Sequence, residues 1–290
     1  MRPIIQATIP AQNFAFDNFK TPFDFTCSVF RSIAFKNQIC ALSINNFLTP
    51  FIDDLSIRKA MDKDTIVVQA GYQKDGKNLL ENLCNGRVIY YKQVGYNFEI
   101  HFVEGQVESL YADQWLTSCY PLAQPMQASW STILQAIYPA PKKIRGLELV
   151  GAEIGMVGND SMYNILTEFS DATGLLWYFA NEELNIVDVS RPGNVLNIHP
   201  WQKSGGAQLQ TTNPWLILDG LSPLARLNRV WALETIFGPA MRPGAWVSFL
   251  DNLGNTRQGY IGTVRNTVST AATSSRLTVI ETVDNTGVAA

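Results

Sequence analysis

Charged residues are scarce in this 290-residue sequence. Asp, Glu, Lys and Arg together make up 16% of the chain, whereas soluble globular proteins carry about 25%. Hydrophobic residues make up 46%, so the chain has enough apolar material for a packed core. Either part of the surface is buried against other chains, or a monomer covers its surface with Asn, Gln, Ser and Thr. Composition alone leaves both alternatives open.

Runs of basic residues and long apolar runs are also missing. The sequence has 22 Lys and Arg against 25 Asp and Glu, and no basic run exceeds two residues. Tight binding of nucleic acid needs a basic patch or stripe that displaces counterions, and the sequence shows none. Nowhere do 18 apolar residues run together, so no membrane span is predicted. The first ten residues lack the pattern of a signal peptide.

Metal ligands are few. The four cysteines contain no CxxC pair, and with only His101 and His199 available no zinc-ligand pattern can be written. Cys27 and Cys40 lie in apolar strand patterns, where a free thiol behaves as a small hydrophobic side chain. We therefore expect no bound metal and no cofactor.

Three glycines suggest a phosphate-binding loop but lack its spacing. Gly151, Gly155 and Gly158 lie between a possible strand, 144–150, and a helix predicted over 160–173. A glycine-rich turn before a helix N-terminus can hold phosphate. The spacing, however, is neither GxGxxG nor GxxxxGK(S/T), so we interpret the segment as a structural turn and predict no nucleotide binding.

The candidate acid–base residues do not form a catalytic set. Asp53-Asp54 and Glu182-Glu183 are adjacent carboxylates, whereas the carboxylates of a glycosidase face each other across a bound sugar. Glu99 and His101 share one face of a predicted strand, but no nucleophile elbow such as GxSxG accompanies them. His199 is interpreted as a boundary residue. We expect no enzymatic activity.

Alternating apolar residues are the dominant pattern from Phe23 to Phe102. Such patterns recur in five segments: 23–29, 40–44, 65–72, 87–92 and 97–102. Short runs of this kind, bounded by Gly, Asn and Asp, are typical of antiparallel strands in a sandwich or barrel. A turn containing Gly95 joins the last two segments. The segment 48–63 interrupts the series, and we expect one short helix there.

The middle of the chain changes period. A helix is predicted over 129–138, because its apolar residues follow the spacing i, i+3, i+4, i+7 and Ser129 is a suitable N-cap. A second helix is predicted over 160–173, with Gly174 as its C-cap. Two strands then follow, at 175–179 and 184–189.

Strand patterns return after a polar stretch at 202–212. Four strands are predicted there: 230–236, 244–250, 258–266 and 276–282, with Gly254 in the turn at 251–255. The order β, then α/β, then β predicts a mainly β fold. Two β-barrel, tube-type domains (1–115 and 201–290) are expected to flank a small α/β domain (116–200).

Three stretches carry a family-like pattern. The first is FTCSVFRSIAFKNQICALSINNF at 25–47. The second joins VVQAGYQ, which contains Ala70, Gly71 and Tyr72, to NGRVIYYKQVGYNFEIHF, which contains Gly86. The third is VWALETIFGPAMRPGAWVSF at 230–249, which contains Arg242, Pro243 and Gly244. In this order they resemble the baseplate hub, or tail-tube-capping, proteins of contractile-tailed phages and related injection machines.

A helix leading into a Gly-Leu-x-Trp strand at 159–188 is similar to the middle domain of that family. The chain departs from the pattern before Gly86, where Cys84-Asn85 replaces the usual Leu-Phe and residues 80–83 add material. The segment 202–212 has no counterpart in it.

The resemblance implies a homotrimer whose two barrels per chain form a pseudo-hexameric ring in a virion tail baseplate, assembled in the host cytoplasm. The ring would join the sixfold tail tube protein to the threefold central spike protein, next to the tape-measure protein and other baseplate proteins. DNA would pass through the channel only transiently. Because phosphates bind to Lys and Arg and basic runs are missing, we expect a neutral or negative channel wall.

A carbohydrate- or peptide-binding module, or an accessory cell-wall hydrolase of a tail tip, is the alternative. The tryptophans of the last third could stack on a sugar: Trp201, Trp215, Trp231 and Trp246. Aromatic residues in strands are more often core or interface anchors. An acidic cleft with facing carboxylates would support the alternative, whereas a closed trimeric ring would exclude it.

Overall fold

The computed structural model describes the strands, the helices and most of the turns between them. These are residues 2–18, 24–33, 40–46, 57–59, 64–74, 77–104, 126–138, 143–158, 162–181, 183–190, 192–198, 208–213, 229–235, 238, 241–251, 253–271 and 273–281. Several residues discussed above lie outside these ranges: Asp53, Asp54, Cys119, Glu182, His199, Trp201 and Trp215.

The described part of the chain up to residue 104 consists of strands and one 3-10 turn, Pro10–Gln12. The strands are β1 (Arg2–Ile9), β2 (Phe14–Asp17), β3 (Phe25–Ser32), β4 (Cys40–Ile44), β5 (Ile57–Lys59), β6 (Thr65–Lys74), β7 (Lys77–Val94) and β8 (Asn97–Val103). The alternating patterns are confirmed as strands, and Gly95 lies in the β7–β8 turn with φ +59°.

The strands of this half extend beyond those predicted from the sequence. β1 and β2 were not predicted, and β7 begins ten residues earlier than expected, because pairing with β6 extends it beyond its apolar run. Where a short helix was expected within 48–63, the described part is strand β5, which pairs with β7. The rest of that segment lies outside the described residues.

The N-terminal strands form one antiparallel ladder in the order β3-β4-β8-β7-β6-β1-β2. Their inward residues build a core in which Phe25, Ile44 and Phe98 are almost completely buried. Cys27, Cys40 and Cys84 are buried in this core. Burial raises the pKa of the Cys40 thiol to about 12 and raises those of Cys27 and Cys84 as well.

The middle of the chain contains both helices. Its elements are β9 (Met126–Ser129), α1 (Trp130–Ile137), β10 (Ile144–Arg145), β11 (Ile154–Val157), α2 (Met162–Thr173), β12 (Leu176–Ala180) and β13 (Glu183–Val187). Both predicted helices are confirmed. Ser129 caps α1 by accepting a hydrogen bond from the backbone N–H of Thr132, and Gly174 follows α2 with φ +72°.

The helices pack on one face of the three-stranded sheet β10-β13-β12. The predicted strand 144–150 is shorter than expected, because a 3-10 turn begins at Leu147. Gly155, from the glycine-rich segment, lies inside β11 against the ring of Trp130, where an added Cβ would come within 2.6 Å. This glycine is therefore required for close packing. Within the described ranges, no helix is long and apolar enough to cross a membrane.

The last part of the chain is again formed by strands. They are β14 (Val195–Ile198), β15 (Gln208–Asn213), β16 (Arg229–Thr235), β17 (Trp246–Leu250), β18 (Thr256–Ser269) and β19 (Thr273–Glu281). The four predicted strands are confirmed. The stretch 202–212 was interpreted as polar and without a strand. This is corrected by β15, because residues 208–213 pair with β16.

β18 joins the two groups of strands into one sheet. Residues 256–260 pair with β17, whereas residues 263–269 pair with β3 of the N-terminal ladder. The register with β19 shifts between Ile261 and Thr263, so Gly262 forms a bulge where β18 changes partner, and its carbonyl accepts the N–H of Ile33. A bulge bends a strand and increases its twist.

The inward face of β18 consequently serves two cores. Val264 packs in the C-terminal core and Val268 in the N-terminal core. Between them, Asn266 accepts a hydrogen bond of 2.6 Å from the hydroxyl of Ser275, and both residues are buried. The fold is mainly β. Among the described strands no ladder closes either half into a ring, so the two closed barrels and their domain boundaries stay a prediction.

The β17–β18 turn is held by one carboxylate. Asp251 accepts hydrogen bonds from the backbone N–H groups of Leu253 and Asn255, at 2.9 and 2.8 Å, and from Nε of Arg257 at 2.9 Å. Burial alone would raise its pKa, but these hydrogen bonds lower the pKa of Asp251 to about 2. The predicted turn glycine, Gly254, has φ +83°.

We expect Asp251→Asn to lower the melting temperature near neutral pH and to lose this effect in acid. The folded pKa lies below the unfolded value of about 3.9, so the stabilisation is present above about pH 4 and disappears as pH falls towards the folded value. Thermal unfolding of both proteins between pH 7 and 2 measures the difference. Leu253→Ala, which keeps the carboxylate, should retain the wild-type pH dependence. A difference independent of pH would contradict the assignment.

Candidate functional site

The family-like residues of the N-terminal half lie where backbones approach closely. Ala70 and Gly71 are on β6, and a Cβ added to Gly71 would lie 1.8 Å from the carbonyl oxygen of Leu79 on β7. A Cβ on Gly86 would come within 2.8 Å of the Phe102 ring. The hydroxyl of Tyr72 contacts that of Thr273, at the start of β19. This motif therefore fastens the N-terminal ladder to the C-terminal hairpin.

The second motif, Arg242-Pro243-Gly244, forms the turn that leads into β17. Gly244 has φ +80°, and its N–H donates to the carbonyl of Ile261 at 2.8 Å. An added Cβ would lie 2.8 Å from Cγ2 of Val187 on β13. Only glycine meets both conditions without strain. This turn therefore sets the contact between the C-terminal strands and the middle unit, which is formed by the elements β9 to β13.

A cleft of about 600 Å³ opens beside this turn, between β13 and the start of β17. Its lining includes Arg145, Glu148, Asp188 and Arg242, together with apolar residues such as Trp246. The cleft is therefore mixed in charge. A glycosidase needs two carboxylates that face each other across a sugar, and two arginines among the lining residues do not give the acidic cleft which the alternative function predicted.

Below the cleft, one apolar cluster joins all three parts of the chain. Ile33 comes from the end of the N-terminal ladder, Leu176 from β12, and Trp246, Tyr260 and Ile280 from the C-terminal strands. All five are at least 90% buried. Burial raises the pKa of Tyr260 to about 12. Full burial of large side chains contributes roughly 1.5–3 kcal/mol each, so this cluster fixes the relative placement of the three parts.

A buried ion pair makes the second connection to the middle unit. Nε and Nη2 of Arg31 donate to the two oxygens of Glu104, each at 2.7 Å. The side chains are 9% and 3% exposed. Glu104 also accepts the backbone N–H of Asn181, in the β12–β13 turn, at 3.1 Å. Burial disfavours the charged form of Arg31, but Glu104 overcomes this and raises the pKa of the guanidinium.

Two backbone irregularities complete this connection. The β6–β7 register shifts so that Leu83 has no partner opposite it, and its carbonyl accepts Nη2 of Arg31 at 2.6 Å. Asn181 has φ +54°, and its side-chain oxygen accepts the N–H of Asn85 at 3.0 Å. The added residues 80–83, noted as a departure from the family pattern, thus include the bulge that completes the arginine's hydrogen bonds.

The sequence reasoning missed this ion pair, although a signal for it was present. Phe25, Cys27 and Val29 alternate on the inward face of β3, and Arg31 continues the same series. A charged residue at a core-facing position requires a buried partner. That partner, Glu104, lies 73 residues away in the sequence. The local pattern around Arg31 therefore could not identify it.

Glu99 and His101, the pair considered for acid–base catalysis, lie on β8, away from the cleft. Nε2 of His101 donates a 2.9 Å hydrogen bond to a carboxylate oxygen of Glu99, and the imidazole stacks on the ring of Tyr90, with centroids 4.3 Å apart. The shared strand face of Glu99 and His101 is confirmed. Within the ranges that the structure describes, no group of three His, Cys, Asp or Glu side chains could hold a metal ion.

We expect Gly71→Val and Gly244→Val each to reduce the free energy of unfolding by about 3 kcal/mol or more, because the new side chain meets backbone or packed atoms. Gly193→Val is the control, since nothing lies within 4 Å of its Cβ position and a surface change costs within about 0.5 kcal/mol. Denaturant unfolding measures all three. Wild-type stability in either test variant would refute the close approach.

Glu104→Gln should destabilise the fold by about 3–5 kcal/mol, because it leaves the charge of Arg31 buried and unpaired. Replacing both residues together, as Arg31→Met with Glu104→Leu, should cost less than the sum of the single changes. Arg145→Gln breaks an exposed pair with Glu183 and should cost less than about 1 kcal/mol. Equal effects of Glu104→Gln and Arg145→Gln on urea unfolding would argue against this role.

No known family model matches the chain, and no curated protein matches it. Solved structures do match. A 43 kDa tail protein of prophage MuSo2 from Shewanella oneidensis has a TM-score of 0.65 at 12% identity, over 97% of this chain and 98% of that one. A tail protein from Neisseria meningitidis MC58 has a TM-score of 0.60 at 13% identity, over 97% of each chain.

An Escherichia coli component of the type VI secretion system shares the fold more distantly. That protein exhibits structural similarity to the T4 bacteriophage tail proteins gp27 and gp5. It matches with a TM-score of 0.55 at 8% identity, over 90% of this chain and 74% of that one. The fold of this chain is therefore the one found in solved tail and injection-system proteins.

Proposed function

We propose that this chain is a structural, non-enzymatic component of a phage-like tail, and that within the tail it is a baseplate hub subunit. The observation that carries the proposal is the match to the MuSo2 tail protein over 97% of this chain and 98% of that one. A match of whole chain to whole chain includes both cores and the middle unit, so it does not rest on one common β motif.

The finer proposal concerns assembly. Three copies would form a pseudo-hexameric ring, in which each chain contributes its N-terminal and its C-terminal group of strands. The ring would join the sixfold tail tube to the threefold central spike, contact the tape-measure protein and other baseplate proteins, and leave a channel for DNA. Its location would be the virion tail baseplate.

Exposed apolar side chains support burial against other chains. Leu253, at the tip of the β17–β18 turn, is 85% exposed, and Ile154 and Met156 on β11 are 68% and 71% exposed. The hydrogen bonds to Asp251 order the backbone of the turn that carries Leu253. A backbone that is already ordered loses little entropy on binding. With 16% charged residues in the sequence, these features favour the alternative of a surface partly covered by neighbours.

Native mass spectrometry and light scattering of the purified protein are the direct test. We expect a species of three times the 32.3 kDa chain mass that persists on dilution, and ring-shaped particles by electron microscopy. A monomer at all protein concentrations, or a ring of another order, would contradict the hub assignment. Sugar or peptide binding by such a monomer would instead favour the alternative function.

A further inference from the structure

Two arginines lie directly opposite each other on the exposed face of the sheet. Arg265 on β18 and Arg276 on β19 are register partners, and both are exposed. Directly opposed residues have Cβ atoms about 4.5–5.5 Å apart, and like charges in this position are destabilising. The pair persists in this strand register although it costs stability in the isolated chain.

The surroundings neutralise this pair only in part. Arg276, whose side chain is 64% exposed, has one oxygen of Glu234 at 3.5 Å. Arg265 lies over the ring of Phe30, 5.4 Å from its centroid. Among the described residues, no carboxylate lies within ion-pair distance of Arg265. Of the two guanidinium groups, only that of Arg276 has a carboxylate within ion-pair distance among the described residues, so the pair can accept further negative charge.

The middle unit carries a complementary pair. Glu168 and Asp171 are exposed on α2, while Ile165 and Phe169 on its opposite side are buried in the middle core. Side chains three positions apart on a helix have Cβ atoms about 5–6 Å apart. This matches the spacing of the two arginines, so each carboxylate can meet one guanidinium.

The net charges of the middle and the last part of the chain also have opposite signs. Residues 126–200 contain eight acidic and four basic residues, whereas 201–290 contain five acidic and seven basic residues. The described ion pairs include none between the two pairs of side chains, and all four are exposed. Within one chain the two pairs of side chains do not meet, so a contact between them would have to join two copies.

We propose that Arg265 and Arg276 of one copy bind Glu168 and Asp171 of the next copy. This inference rests on the proposed oligomeric function and adds the contact that forms it. The two surfaces differ, so the contact is head-to-tail, and such contacts form a closed ring when the rotation between copies closes. Complementary charges select partner and register.

Charge reversal tests the contact from both sides. Arg265→Glu with Arg276→Glu should weaken self-association at least about 100-fold, since like charges then face each other. Glu168→Lys with Asp171→Lys should do the same. In a mixture of the two double variants every contact between unlike copies pairs opposite charges, but a ring of three always keeps one contact between like copies, so the mixture should recover self-association only in part. The chain with all four changes should recover it fully. Sedimentation velocity at 0.15 M salt measures each constant.

Gln258→Glu is the matched control, because it adds a negative charge at another exposed position of β18; it should leave self-association within about threefold of wild type. Circular dichroism and thermal unfolding verify that each variant folds. If the arginine variant fails to fold, the helix-surface variant decides by itself. Recovery in the four-fold variant is the outcome that a general loss of stability would not produce.

The outcomes separate this inference from the function on which it rests. A wild-type protein that is monomeric contradicts the hub proposal itself. A wild-type trimer that withstands both reversals contradicts only the arginine–carboxylate contact. A third outcome is DNA binding by the wild-type protein that tightens at low salt and disappears in Arg265→Glu with Arg276→Glu. This would contradict the arginine–carboxylate contact, because the arginines would then bind phosphate.

Discussion

The change of partner along β18 is the constraint on which the rest of the structure depends. One strand completes the N-terminal ladder through β3 and the C-terminal ladder through β17, and the bulge at Gly262 lets it turn between them. Its inward side chains enter both cores, with the Asn266–Ser275 hydrogen bond between them. Because the strand belongs to both groups, neither can move independently without breaking a ladder. A continuous sheet therefore makes one rigid body from the two ends of the chain.

The middle unit is added to this sheet by contacts of two kinds. The apolar cluster around Leu176 and Trp246 supplies burial, and non-directional burial alone would permit several orientations. The Arg31–Glu104 pair and the N–H of Asn181 supply direction, since a desolvated ion pair is stable only with its hydrogen bonds complete. Gly244 allows the backbones to approach closely enough for both. Packing and polar geometry thus determine one arrangement together.

A protein of this construction suits a structural role in a larger assembly. Its polar side chains with unusual environments, Arg31, Glu104 and Asp251, connect parts of the chain or hold turns. The exposed apolar side chains Leu253, Ile154 and Met156 and the opposed arginines lie on the surface. Features that are unfavourable in an isolated chain become favourable when another chain covers them.

The sequence by itself determined the local elements. Alternation over Cys40, Leu42 and Ile44, the stripe of α1 with Ser129 as its cap, and the turn glycine Gly254 each depend on neighbours within a few residues, and each was predicted. The tertiary structure alone decided which strands pair and which charges meet. β15 is too polar to be recognised as a strand until β16 pairs with it, and β7 is extended by β6. Arg31 signalled a buried charge, but its partner is 73 residues distant, and the Arg265–Arg276 opposition exists only once β18 and β19 are in register. Local patterns report short-range energetics, whereas pairing and ion-pair geometry depend on contacts between segments far apart in the chain.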